Sequence, residues 1–219
     1  MTGARRADTD TVTLDAVAEA PTHPEPQRTP VRLVALAASA GGIHAIGTVL
    51  SSLPIDLPAP VVVVQHLAPR HPSHMAAIMA RQTLLDVRQA RDGEVLRNGV
   101  VYIAPPDRHL LVNTDGSVTL ADTELVHFLR PSADLLFESA AAACGPGLVA
   151  VVLSGTGEDG AMGIRAVKKM GGVVVVQDEG TAEFTGMPHA AIGTGIADRV
   201  LELRDIGPTI SDLIRAPLQ

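Results

Sequence analysis

A serine, a histidine and an acidic pair stand in this chain at points where apolar runs end. Ser39 follows the run Val31 to Ala38 and precedes Ala40-Gly41-Gly42, which puts it on a tight strand-to-helix turn with free N–H groups of the helix start beside its hydroxyl. His66 closes the run Val61-Val62-Val63-Val64-Gln65. A histidine there suits proton transfer, because imidazole ordinarily titrates close to working pH. The run Leu148 to Leu153 leads into Ser154-Gly155-Thr156-Gly157-Glu158-Asp159-Gly160, and one of its acids can orient the imidazole and steady its cation. Adjacent residues of an extended turn point to opposite sides, so the residues alone leave open which of Glu158 and Asp159 faces inward. The chemistry would be acyl transfer: serine attack on a carbonyl, an oxyanion held by backbone N–H groups, and an acyl-enzyme opened by water.

Three side chains 120 or fewer positions apart meet only if the elements carrying them are neighbours. From Val31 onward, apolar runs alternate with segments of helical spacing, the signature of βαβ units. The spacing predicts strands at 32–38, 60–66, 85–90, 148–153 and 173–177, and helices at 42–52, 73–82, 132–144 and 161–170, with another near the C-terminus. Between them, Val100 to Ala104, His109 to Asn113 and Ser117 to Asp122 are short β-like runs, and Asp115-Gly116 marks a hairpin turn. The four valines before Gln65 predict a strand buried on both faces. The expected fold is α/β, a doubly wound, mostly parallel sheet with helices on both faces and an antiparallel hairpin insertion. In it, strand ends share one edge, where Ser39, His66 and the acid can converge. Residues 1–30, rich in Thr, Pro, Ala and acids and without a period, read as a disordered tail, and 31–215 as one domain.

Composition narrows the function classes. With 219 residues, 46% hydrophobic, the chain is long enough for a single domain burying roughly 70% of its unfolded surface. A net charge of -7 and the absence of any Lys/Arg run argue against nucleic acid as a partner. Cys144 is the one cysteine, which forbids an internal disulfide; with no apolar stretch long enough for a bilayer and no signal-peptide core, a cytoplasmic protein without membrane insertion is expected. His71 and His74 invite a metal reading but lack a third ligand at suitable spacing, so no metal is expected. His44, His109, His127 and His189 have no placement comparable to His66, although His109 and His189 could line a cleft. Gly155-x-Gly157-x-x-Gly160 fits a dinucleotide fingerprint in spacing, yet Glu158 and Asp159 would put negative charge where a pyrophosphate should sit.

Six blocks in order carry a family resemblance: Ala38-Ser39-Ala40-Gly41-Gly42, Val64-Gln65-His66, Ala104-Pro105-Pro106 with His109-Leu110, Arg130-Pro131-Ser132-x-Asp134-x-Leu136-Phe137, Ser154-Gly155-x-Gly157-x-Asp159-Gly160, and Gly186-Met187-Pro188. Over Val31 to Leu203 the chain resembles the catalytic domain of the CheB chemotaxis methylesterases. The resemblance implies a Ser-His-Asp hydrolase that removes methyl esters from glutamates of chemoreceptors, releases methanol, needs no cofactor and, in some members, deamidates receptor glutamines. It assigns Ser39 as nucleophile, His66 as base and Asp159 rather than Glu158 as orienting acid, with backbone N–H groups at Ala40 and Thr156 for the oxyanion. Arg70, Arg108 and Met187 stand on loops that could rim the substrate cleft. Ala40 replaces the family's usual threonine, and Thr156 a frequent methionine. The residues ahead of Val31 are too few for the family's receiver domain, which leaves constitutive activity, a response-regulator partner in trans, or a methyl-accepting sensory protein outside chemotaxis as readings. A small-molecule carboxylesterase and a non-catalytic signalling module of the same fold are the alternatives.

Overall fold

The structure is a computed structural model that describes Met1, residues 32–66 and residues 73–218. Apart from Met1, the tail expected over 1–30 lies outside the described residues, as do Arg70 and His71. Chain order among them is β1 (Leu33–Ala38), α1 (Gly42–Ser51), β2 (Val61–Gln65), α2 (Met75–Met79), β3 (Asp86–Gln89), β4 (Val100–Ile103), β5 (His109–Val112), β6 (Val118–Ala121), α3 (Ala133–Cys144), β7 (Leu148–Val152), α4 (Gly163–Lys169), β8 (Val173–Gln177), α5 (Gly186–Gly193), β9 (Arg199–Leu201) and α6 (Leu203–Arg215).

Seven strands form one sheet in the order β3-β4-β2-β1-β7-β8-β9, and every pairing in it is parallel. The sheet is therefore wholly parallel; the antiparallel pair β5-β6 stands apart from it as a hairpin. From β1 the chain winds to one side through β2, β4 and β3, then returns to β7 on the other side of β1 and continues outward. The reversal lies between β1 and β7, where a crevice opens at the carboxyl ends of the strands of such sheets.

Parallel strands covered on both faces need apolar residues at every position, and β1, β2 and β7 are buried throughout. Their alternate residues serve two cores. Leu33, Ala35 and Ala37 face the side carrying α3, α4, α5 and the hairpin, with Leu136, Phe137, Ile164 and Leu110 packed there. Val34, Leu36 and Ala38 face the side carrying α1, α2 and α6, against Ile46, Leu50, Met79 and Ile210. Cys144 is a buried filler in the first of these cores.

Two elements were absent from the sequence-based expectations. α5 begins Gly186-Met187-Pro188, residues that read as helix breakers, and its apolar side chains do not gather on one stripe. β9 is a three-residue edge strand, too short for any alternation to show. α2 ends at Met79 and not near 82, because the Thr83 hydroxyl donates to the Leu50 carbonyl (2.8 Å) and turns the chain toward β3. No helix among the described residues is long and apolar enough to cross a membrane.

Candidate active site

Strand register brings Ser39 and His66 to the same level. Ala38 pairs with Gln65 across β1 and β2, and the next residue on each strand leaves the sheet. The His66 N–H donates to the Ala38 carbonyl (3.1 Å) and the Ser39 N–H to the Ser154 carbonyl (3.0 Å), tying the first residues beyond three adjacent strands together. Ser39 thus sits at the β1/β7 reversal. The turn it occupies needs Gly41, with φ +73, and Gly42, where a Cβ would stand 2.1 Å from Gln65 Oε1. Ser39 and His66 line one cleft of about 610 Å³ with Ala40, Gly41, Ile43, His44, Gln65 and Glu183.

The acid arrives from the segment after β7. Asp159 is 1% exposed, and its Oδ2 lies 2.8 Å from His66 Nε2, whereas Glu158 faces solvent. Asp159 Oδ2 also accepts the Ala133 N–H (2.6 Å), and Oδ1 accepts the Ser132 hydroxyl (3.0 Å) and the Asp134 N–H (3.1 Å). These donors are the first turn of α3, so the carboxylate occupies the positive end of that helix. Burial alone would push Asp159 upward; hydrogen bonds from His66, Ala133 and Asp134 outweigh it and hold the carboxyl below its ordinary value. With Nε2–H directed at Asp159, Nδ1 is the ring nitrogen left to face a hydroxyl.

Among the described residues, the N–H groups of Ala40 and Thr156 donate to no protein acceptor, and Thr156 is exposed. The turn bearing Thr156 is fixed from α5 and the segment before it: Gly155 N–H donates to the Phe184 carbonyl (3.0 Å) and Met187 N–H to the Gly155 carbonyl (2.9 Å). Met187 is not a rim residue. It is 1% exposed, its sulfur standing 2.2 Å from where a Cβ on Gly155 would lie. Arg108 is exposed on the turn between β4 and β5, paired with Asp122 at 3.3 Å, and is absent from the lining of the cleft. His109 is fully buried and structural, its Nδ1 accepting the Ser132 N–H (3.2 Å) and its Nε2 directed at the Glu124 carbonyl (3.0 Å). His189 is exposed beside Glu179. No group of three His, Cys, Asp or Glu side chains among the described residues could hold a metal ion.

Four site residues were given no role by the sequence, although Gln65, Ser132 and Asp134 stand in the blocks that carry the family resemblance. Gln65 Nε2 donates to the carbonyls of both Ser39 (2.6 Å) and His66 (3.1 Å), bridging the two strand ends, while its Oε1 is buried without a partner among the described residues. Glu183 places a carboxylate over Gly41 inside the cleft. Ser132 caps α3 and reaches Asp159. Asp134 is 4% exposed, and its Oδ1 accepts N–H groups of Gly160 (2.9 Å), Met162 (3.1 Å) and Gly163 (2.6 Å). Burial raises the Asp134 carboxyl, the Asp159 charge adds to that, and the Gly163 and Gly160 N–H groups oppose it.

A doubly wound parallel domain with a hydroxyl and an imidazole at adjacent strand ends and a buried carboxylate on the imidazole is an α/β domain of the serine-hydrolase kind. The chain belongs to the CheB methylesterase family, whose profile matches residues 34–210. It is 43% identical over 84% of its length to a protein-glutamate methylesterase/protein-glutamine glutaminase of Anaeromyxobacter dehalogenans, covering 54% of that protein. It is 39% identical over 86% of its length to the protein of that name from Moorella thermoacetica, covering 46%. The chain thus spans about half the length of these curated relatives. The crystal structure of the Thermotoga maritima CheB methylesterase catalytic domain superposes with a TM-score of 0.80 at 35% identity, over 84% of this chain and 98% of that one.

Proposed function

We propose that this protein is a protein-glutamate methylesterase acting on a methyl-accepting sensory protein, such as a methylated chemoreceptor, with glutamine deamidation as the companion reaction. The observation that carries the reading is the 2.8 Å contact of His66 Nε2 with buried Asp159, at a histidine sharing its cleft with Ser39. His66 Nδ1 takes the Ser39 proton as the hydroxyl oxygen attacks the ester carbonyl. The oxyanion that forms is received by the N–H groups of Ala40 and Thr156. His66 then gives the proton to the departing methoxide, methanol leaves, and a water deprotonated by the same imidazole opens the acyl-enzyme to free glutamate and Ser39. With a primary amide in place of the ester, the same steps release ammonia. Support comes from the family, from relatives named for both activities, and from a cleft at the sheet edge that a side chain of a long protein substrate can enter. A single cysteine fits a reducing, cytoplasmic setting. Methanol release from a methylated receptor, and labelling by an activated-serine probe, are expected for the native protein and absent from Ser39→Ala. A folded native protein that neither labels nor releases methanol would overturn the assignment.

A further inference from the structure

The corner behind His66 holds two buried carboxylates that exchange partners. The start of α3 gives three donors to Asp159, namely the Ser132 hydroxyl and the N–H groups of Ala133 and Asp134. The segment after Asp159 gives three donors back to Asp134, the N–H groups of Gly160, Met162 and Gly163. The two segments are thereby locked to each other, and Asp159 has no freedom to turn away from His66. The cost of the arrangement is two like charges in one buried place, which a fold seeking stability alone would avoid. A neutral side chain with an acceptor oxygen would hold the same three N–H groups, because all three bonds fall on the single oxygen Oδ1. The charge on Asp134 is surplus to the clasp.

We propose that Asp134 is a positioning residue for the reaction, an outer carboxylate that clasps the Asp159 segment and lends its negative charge, through Asp159, to the His66 cation formed in the transition state. The inference rests on the triad reading above. The titratable groups facing this array, among the described residues, are Asp159 from the segment after β7, His127 from the loop before α3, with Nε2 3.7 Å from Asp134 Oδ2, and His109, which accepts the Ser132 N–H. On the cleft side of His66 stand His44 and Glu183. His127 is exposed.

Two substitutions separate clasp from charge. Asp134→Asn keeps an oxygen for Gly160, Met162 and Gly163 and removes the charge; Asp134→Ala removes both. In Asp134→Asn, the His66 ring protons, followed by NMR, are expected to titrate with a midpoint lower than in the native protein, because a negative charge behind Asp159 favours the charged imidazole. Its Tm should be equal to or above the native value, and kcat should fall severalfold with KM held. Asp134→Ala should show the same downward midpoint, a lower Tm and a kcat loss of about 10²-fold. A role confined to structure would move Tm and leave the His66 midpoint in place; an Asp134→Asn midpoint unchanged from native would overturn the proposal. The NMR titration needs no turnover, so failure of the native protein to cleave any ester would count against the methylesterase reading and leave this test intact.

Discussion

The division of labour between two neighbouring acids was decided by burial. Local residue pattern left Glu158 and Asp159 open, since a turn places one inward and one outward without saying which, and only the family resemblance favoured Asp159. The deciding donors belong to Ser132, Ala133 and Asp134, 25 to 27 positions earlier in the chain, and no local pattern could announce them. Asp159→Ala should lower kcat by about 10⁴-fold, the usual cost of losing the acid that fixes the base. Glu158→Gln should leave kcat within about twofold, because that side chain faces water. Equal losses in both variants, measured by methanol release, would mean that Glu158 takes part. The strand-end positions of Ser39 and His66 were legible because each follows a run that reads as a buried strand, Val31 to Ala38 and Val61 to Gln65. Met187 misled for the opposite reason: a methionine on a loop-like Gly-Met-Pro stretch looked available to a ligand, but it fills the space that Gly155 leaves.

At the scale of elements, the starts of α3 and α4 are where folding and chemistry are coupled. Ser132 caps α3, and Asp159 adds a full charge to the same end; Asp134 accepts the N–H groups that open α4. The two carboxyls then act on stability with opposite signs. Asp159 ionises more readily folded than unfolded, so it stabilises the protein above the ordinary carboxylate value near 4 and loses that contribution as pH falls through its depressed native value. Asp134 holds its proton more tightly folded than unfolded, so its charge weighs against the fold at neutral pH and is relieved as pH falls through its raised value. Thermal melts from pH 7 to pH 3 should therefore show Asp159→Asn below the native protein at pH 7 with the gap closing in acid. A gap that widens in acid would refute the assigned direction. The central strands and the longer helices were legible from an unbroken apolar run or a sustained period; α5 and β9 escaped because one opens on residues that usually end helices and the other is three residues long.

The architecture of the whole molecule followed from the alternation of apolar runs with helical segments, and the hairpin from Asp115-Gly116. Strand order did not, because the return of β7 to the far side of β1 is a choice of topology that leaves no mark on composition. Yet that return puts Ser39 in contact with Ser154, and it makes the proposed nucleophile a reporter on the entire chain. Its neighbours come from strands on opposite sides of the reversal, and its proposed base and acid are 93 positions apart, so no fragment of the domain can assemble the cleft by itself. Serine-probe labelling in rising urea should be lost at the same midpoint as the circular-dichroism signal. A separate, earlier loss would mean that the rim opens before the sheet does. Reactivity at one hydroxyl is then an assay of cooperative folding, available wherever the protein can be mixed with a probe, including inside a cell.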